Sequence, residues 1–418
     1  MTQSVFTFIT PIDPARVSEL KNLLQSISES PLSNPDLPFT VLPALHFASL
    51  VIFYDDYYGP YLVFENNVDG TPEEYIEELC QVAASGLHRI YGCCLNYNAR
   101  GPQQLDDLRN YLRQHLVHPN AYHIGNTGRS VERTKGEAAV REVVESYLDE
   151  SVDHRETTLS AVSIRTGIQN FLRKQPAYVW ASNFQPRMTS LERLGPWMRL
   201  LGLGVAALIL LPVLLPLLAI FVVILRVKEK ADPVEIGPPD AEQIKELASA
   251  EENVVQNHMA SLCYVKPGWF RRTALKLVLY LTNLVARVST QGKLSGLDSL
   301  HFAHWALIDN GRRLLFLTNY DGSWENYLDD FIDKAAIGLT AIWSNTDNFP
   351  RTRFLLFGGA RDEKRFKAIA RKTQAYTNVW YSAYPELTVK AIDNNSAIRD
   401  DFYRQLDEAE TKRWLQRF

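Results

Sequence analysis

Residues 45–53 read LHFASLVIF, and residues 300–308 read LHFAHWALI. Each is an apolar run rich in β-branched and aromatic residues, the pattern of a buried strand. The downstream stretches match as well. FENNVDGTPEEY (64–75) answers to FLTNYDGSWENY (316–327), and a Gly-Leu pair stands 17 residues beyond the aspartate in both, at Gly86 and Gly338. Farther on, SVERTKGEAAVREVVESYLDE (130–150) aligns with TVKAIDNNSAIRDDFYRQLDE (388–408). Blocks recurring in one order over such a span read as a tandem duplication. Repeat one covers 1–150, repeat two covers 257–418, and 151–256 connects them.

Within repeat one, strands are expected at 5–12, 45–54, 61–65, 93–97 and 121–124. Asp13-Pro14 is a helix start, with an N-cap followed by a proline at N1, for a helix through Leu24. Thr71 and Glu74 form a capping box around Pro72 and open a helix to about Ile90. Further helices are expected at 103–116 and 131–149. The opening order, β-α-β-β-α-β, is that of a ferredoxin-like unit. Such a sheet has one face bare, and two bare faces bury each other. The expected fold is therefore α+β, with two ferredoxin-like repeats forming an internal pseudo-dimeric α/β barrel.

The connector carries LLGLGVAALILLPVLLPLLAIFVVIL at 200–225, 26 residues without a charge between Arg199 and Arg226. As a helix it would cover ~39 Å, more than the ~30 Å of a hydrocarbon core, and it reads as a membrane segment. Basic residues stand on both sides (Arg187, Arg193 and Arg199 before; Arg226, Lys228 and Lys230 after), so the positive-inside rule orients no single span. If the repeats pack together they lie on one side of the bilayer, and a hairpin bent near Pro212 and Pro216 would keep them there. A full span, with the repeats apart or pairing between molecules, is the other reading. The helix that starts at Trp269-Phe270-Arg271-Arg272 is either an interfacial helix or a core helix of repeat two.

A net charge of −4 gives no global basic field, so nucleic acid is not an expected partner. The first residues, MTQSVFTFITPIDP, lack a basic start and apolar core, and no signal peptide is expected. Cys80, Cys93, Cys94 and Cys263 show no disulfide framework or zinc spacing and read as buried thiols of a reducing compartment. Both repeats are accordingly expected to face the cytoplasm.

LHFA, the NxDG helix entry and the repeated β-α-β-β-α-β order together resemble the dimeric α/β-barrel superfamily of ferredoxin-like proteins. Repeat two in particular is similar to uncharacterised bacterial, membrane-attached members. The superfamily includes cofactor-free oxygenases, chlorite dismutase-like proteins and dye-decolourising haem peroxidases. The last carry a GxxDG motif with a haem-ligating histidine downstream. Here the matching positions are Asn66-Asn67-Val68-Asp69-Gly70 and Thr318-Asn319-Tyr320-Asp321-Gly322, which keep Asp-Gly and lack the first glycine. After His304 the chain has no histidine, so only His115, His118 or His123 of repeat one would serve as a haem ligand.

Candidate chemistry centres on His46 with Asp69 and His301 with Asp321. An antiparallel hairpin brings the start of one strand beside the end of the next, and a His–Asp pair can do acid/base work. The alternative is structural: a hydrogen-bonded histidine, and an aspartate at a helix entry. His301 and His304, three apart on a strand, should face opposite ways and make a poor metal pair. Repeat two offers ligand-binding candidates in Asn319, Trp343, Asn345, Arg351, Arg353, Tyr381, Tyr384, Asn394 and Asn395. The reading that results is a membrane-attached protein binding a small apolar or aromatic ligand, or a protein partner, at the cytosolic membrane surface. The alternative is a peroxidase- or oxygenase-type oxidoreductase, with haem or no cofactor.

Overall fold

Alternation along the strands decides how a computed structural model of the chain is layered. In the strand at 61–69, Leu62, Phe64 and Val68 pack against helices, while Tyr61 and Val63 meet residues of a second sheet. The structure describes residues 2–98, 103–151, 160–182, 190–233, 237, 239–251, 255–288 and 296–418. Arg187 of the expected basic flank, and the side chain of Arg193, lie outside that description.

The first half runs β1 (Gln3–Pro11), α1 (Val17–Ser28), β2 (Leu45–Phe53), β3 (Tyr61–Asp69), α2 (Pro72–Gly92), α3 (Gln104–Gln114), β4 (Leu116–Val117), β5 (Ala121–Ile124) and α4 (Val131–Ser151). The connector holds α5 (Ala161–Arg173), α6 (Ser190–Ile209), α7 (Leu211–Ala231) and α8 (Ala241–Glu251). The second half follows as β6 (Gln256–Tyr264), α9 (Trp269–Val288), β7 (Leu300–Ile308), β8 (Arg313–Asp321), α10 (Trp324–Trp343), β9 (Thr352–Arg353), β10 (Phe357–Gly358), α11 (Glu363–Thr373), β11 (Gln374–Ala375), β12 (Thr377–Ser382), α12 (Val389–Asp400) and α13 (Glu408–Leu415).

These strands build two five-stranded antiparallel sheets, β12-β2-β3-β1-β4 and β5-β7-β8-β6-β11, besides the short β9–β10 pair. Position by position the two orders correspond, with one exchange. β5, made in the first half, pairs with β7 of the second sheet, and β12 pairs with β2 of the first. The expected strand at 93–97 is not formed; Cys94 makes only an isolated bridge to Ile12. Burial pushes the Cys94 thiol up to about 12, and all four cysteines are buried and free.

Local sequence explains the elements that carry the layers. α1 buries Leu20, Leu23, Leu24 and Ile27, the i, i+3, i+4, i+7 stripe of a helix with one covered face. Thr71 and Glu74 form a complete capping box ahead of α2. α2 and α10 each contain one non-helical residue, Ala83 and Ala335, both 14 positions after the matched aspartates. The two halves thus repeat even a helix irregularity. The shared Gly-Leu differs in need. A Cβ on Gly86 would sit 2.0 Å from the Asp36 carbonyl oxygen, whereas one on Gly338 would meet nothing. A third core is formed by α4, α5, α12 and α13. Inside it the buried Glu137 accepts from Arg133 at 2.7 Å and from Arg399 at 3.2 Å.

Among the described helices, α7 is long and apolar enough to cross a membrane. The helical run breaks at Leu210 (φ −86°, ψ 1°). The Leu210 N–H still donates to Ala206 and its carbonyl accepts from Leu214, so the junction is one residue long and lies just before Pro212. At its other end α7 is fastened to the second half. Glu229, with a fully buried side chain, accepts from Thr352 Oγ1 at 3.0 Å, from the N–H groups of Phe354 (3.0 Å) and Leu355 (2.9 Å), and from Arg226. Phe354 and Leu355 both sit at positive φ, 58° and 59°, an unfavourable backbone for such side chains. The carboxylate collects the two N–H groups that this conformation turns to one side. Three residues on, Asp232 bonds Lys266 (2.8 Å) and Arg271 (2.5 Å).

Glu229→Ala should therefore free the 352–355 segment. Losing charge-assisted bonds to buried donors costs about 2–3 kcal/mol, expected as faster amide exchange at Phe354 and Leu355 with protection elsewhere in the second sheet unchanged.

Candidate functional site

The layer between the sheets is where the singled-out polar residues gather. At one end it is apolar, with Val51, Val63, Leu315 and Leu317 in one cluster. At the other lie the two histidines of the repeated LHFA. Each is the extra residue of a β-bulge: Leu45 pairs with Val68 and Phe47 with Asn67, and Leu300 and Phe302 pair likewise with Tyr320 and Asn319. A bulge re-aims the side chain it carries. It brings His46 Nε2 to 3.1 Å from Asp69 Oδ1 and His301 Nε2 to 2.7 Å from Asp321 Oδ1. The remaining oxygen of each carboxylate accepts a helix-starting N–H at 2.8 Å, Val131 of α4 and Val389 of α12. The aspartates thus tie β3 and β8 to the entries of α4 and α12. The entry of α2 itself is capped by Thr71 and that of α10 by Ser323. Gly70 and Gly322, at φ +86° and +79°, make the turn between aspartate and cap.

The two pairs face each other across the sheets. The His46 ring lies 5.4 Å from Phe302 and the His301 ring 5.1 Å from Phe47. Tyr384 sits between them, its hydroxyl 2.8 Å from His46 Nδ1. The bulge also upsets the expected alternation of His301 and His304. Both reach the other sheet, His304 through a 3.0 Å bond to Thr7 Oγ1. Among the described residues, no His/Cys/Asp/Glu group has a metal-holding arrangement.

Midway along the layer is a group that the repeat comparison did not single out. Glu65, fully buried, stands 2.9 Å from His258 Nε2 and 3.4 Å from His304 Nδ1. Ser49 donates to it at 3.0 Å and Asn67 at 3.1 Å. His258 Nδ1 reaches Thr377 Oγ1 on β12 at 2.8 Å. Burial pushes the Glu65 carboxyl up, but the hydrogen bond and charge of His258 outweigh burial and hold it below the usual carboxylate range. Burial pushes His304 down to about 4, against the pull of Glu65. The cluster is asymmetric: by strand register Leu317 stands where Glu65 does, Val5 where His258 does and Ser49 where His304 does. A charge at an inward position of FENN, facing leucine in the other copy, was the available signal.

The other candidate ligand residues do not converge. Asn319 is in the layer, accepting from Trp380 Nε1 at 2.9 Å. Tyr381 is on the opposite face of β12, stacked on Phe39. Trp343 packs in the helix-side core against Trp305 and Phe316, and Asn345, just past the end of α10, donates to the Ala341 carbonyl of that helix. Arg351 and Arg353 are exposed near the root of α7. Asn394 bonds the Arg417 carbonyl, and Asn395 is buried on α12.

The layer does not fit a haem. Apolar and aromatic side chains fill it, and His46, His258, His301 and His304 are each engaged by a carboxylate or hydroxyl. Of the repeat-one histidines, His115 bonds the Tyr111 carbonyl, His118 is exposed and His123 is buried on β5. A cleft of about 790 Å³ opens elsewhere, at the sheet edge between Phe53, Tyr54, Leu262, Tyr264, Lys372 and Tyr376. Compared with family models, curated proteins and solved structures, the chain matches none.

Two outcomes are expected for the buried cluster. His258→Val strands the Glu65 carboxylate and should cost about 3–5 kcal/mol, while adding Glu65→Leu, which gives the pair found at the corresponding positions of the other half, should recover much of that cost. Denaturant unfolding read as a double-mutant cycle measures this. The second concerns pH. His304 stays neutral in the fold but gains a proton once unfolded, so stability is full above its ordinary 6.5 and falls as pH drops toward about 4. The loss is on the order of 3 kcal/mol. Glu65, depressed in the fold, removes more below about pH 4.5. Unfolding measured against pH should show His304→Ser flattening the upper part of that decline only.

Proposed function

We propose that the protein is a membrane-attached tandem α/β-barrel protein whose work is binding rather than catalysis, taking a small apolar or aromatic ligand at the cytosolic membrane surface. The observation that carries this is the position of the cleft. The groups between the sheets able to do acid/base chemistry are buried and bonded to one another, and an open cleft of about 790 Å³ lies away from them. Phe53, Tyr54, Leu262, Tyr264 and Tyr376 give it an aromatic and aliphatic part, and polar residues that include Lys21, Lys372, Asp55 and Asp347 complete its lining. A small ligand with an apolar body and polar ends would meet both kinds of group there.

The finer architecture belongs to the same reading. In each half the strand order is fourth-first-third-second (β4-β1-β3-β2 and β11-β6-β8-β7), the order of a ferredoxin-like unit. Exchange of β5 and β12 supports two such units closing on each other as a pseudo-dimeric barrel, the product of a duplication. The segment at 200–225 anchors this body. Its upstream side returns to the body, where residues Pro176–Ser182 pack with α4 and α5. Its downstream side is fastened through Glu229 and Asp232. Both halves then lie on one face of the bilayer, as a re-entrant segment requires. Nothing in the geometry favours the oxidoreductase alternative.

Full-length protein should remain in membranes through an alkaline carbonate wash. Leu214→Arg with Leu218→Arg, each costing about 2.5–3.5 kcal/mol at mid-membrane, should release it. Native mass spectrometry of detergent-extracted protein should find a co-purifying small molecule that is absent from Ala375→Trp, which fills the cleft. A wild-type protein that washes off, or that carries nothing the variant lacks, overturns the corresponding half of the reading.

A further inference from the structure

We propose that α9 is an interfacial helix whose outward face lies in the headgroup region of an anionic bilayer, seating the folded body against the membrane. The inference rests on the reading of 200–225 as a membrane segment.

α9 is apolar on two sides. Its inner side, with Phe270, Ala274, Leu275 and Leu279, is buried against the second half. Its outer side carries Trp269, Leu277, Tyr280, Leu281 and Val285, exposed by 70%, 52%, 52%, 48% and 58%. Leu277, Leu281 and Val285 follow one another at steps of four, with Tyr280 on the turn beside Leu277, and Trp269 is exposed at the start of the helix. Soluble surfaces rarely carry so long a run of large apolar groups, and such a patch marks a contact.

The bilayer is the occupant that the surroundings indicate. Both helices of the membrane segment touch α9. Phe221 of α7 stacks on Phe270 at 4.9 Å, Leu225 packs with Phe270 and Leu355, and α6 lies against α9 as well. Trp269 of the exposed face stands beside Phe270, with ring centroids 6.0 Å apart, so that face borders the helices that carry the bare apolar surface of 201–220. Charge agrees. α9 contains no acidic residue and four basic ones, Arg271, Arg272, Lys276 and Arg287. Asp232 takes Arg271 inward, which leaves Arg272 and Lys276 beside the exposed face. Tryptophan and tyrosine suit the interface, where one end of the ring is wet, and lysine and arginine reach from it to phosphate. On α7, Arg226, Lys228 and Lys230 follow directly on the apolar segment.

All four native cysteines are buried, so an introduced thiol can be labelled in the folded protein. The full chain carrying Leu281→Cys or Leu277→Cys, coupled to a nitrobenzoxadiazole dye, is reconstituted into phosphatidylcholine/phosphatidylglycerol vesicles. Asp106→Cys on the exposed side of α3 is the control. The α9 labels should be quenched by nitroxide-labelled lipid, and their quenching by aqueous iodide should fall several-fold relative to the control. Strong iodide quenching means that the face is open to water and overturns the proposal. Shielding from both quenchers means that protein, such as a second copy, covers the face, and overturns it equally. Protein that leaves the vesicles in carbonate fails the membrane reading itself, whereas protein that stays with a water-exposed label fails only the role of α9.

Discussion

The fold depends on two sheets that each lack an edge and a cover, and obtain both from the other. β2 would end the first sheet with open hydrogen-bonding groups, and β7 would do so in the second. β12 and β5 fill those edges from the opposite half of the chain. Exposed edges invite mispairing, so the exchange removes a hazard and couples the halves. The same crossing places α4 and α12 side by side, where Glu137 and Arg399 meet with no exposed atoms on either side chain. Neither half is a complete body alone. That is why both ends of the connector come back to one structure.

Between the sheets the two halves differ in charge more than in shape. A His–Asp pair stands on both sides, each tying a strand end to a helix entry. The centre is unlike: one half supplies the acid, the other two imidazoles, and leucine, valine and serine occupy the reciprocal positions. A buried ion pair is weak evidence of net stabilisation, because desolvation offsets much of the attraction. Its effect here is to make the wrong pairing of halves costly. Two copies of the first half would bury Glu65 without His258, and two of the second would bury imidazoles without an acid.

Much of this was legible in the chain. Strands β2 and β3, the cap at Thr71, the placement of His46 by Asp69 and the apolar segment all follow from local pattern. Three features were not. The bulges at His46 and His301 add one residue to a strand, and no periodicity reports that. The strand expected at 93–97 had the right composition, but the place beside β1 went to Leu116 and Val117, two residues too short to stand out. The Glu65 cluster joins residues from three distant strands, and its distances arise only from sheet-on-sheet packing. For the same reason Trp343, Asn345 and Tyr381 looked like site residues. Their polar and aromatic character was visible; the sheet face they occupy was not.

The exchanged strand also sets an order of events during synthesis. The outer edge of β2 is closed by residues 377–382, while the apolar segment lies at 200–225. A growing chain therefore exposes its apolar segment while the first sheet still has an open edge, and must wait for almost the whole second half before that edge is paired. Long-range pairing of this kind is slow and exposes the intermediate to aggregation. Early capture of the apolar segment at a bilayer would hold each nascent chain apart from its neighbours during that interval. If the segment is the anchor proposed above, it would protect the unfinished fold as well as locate the finished one.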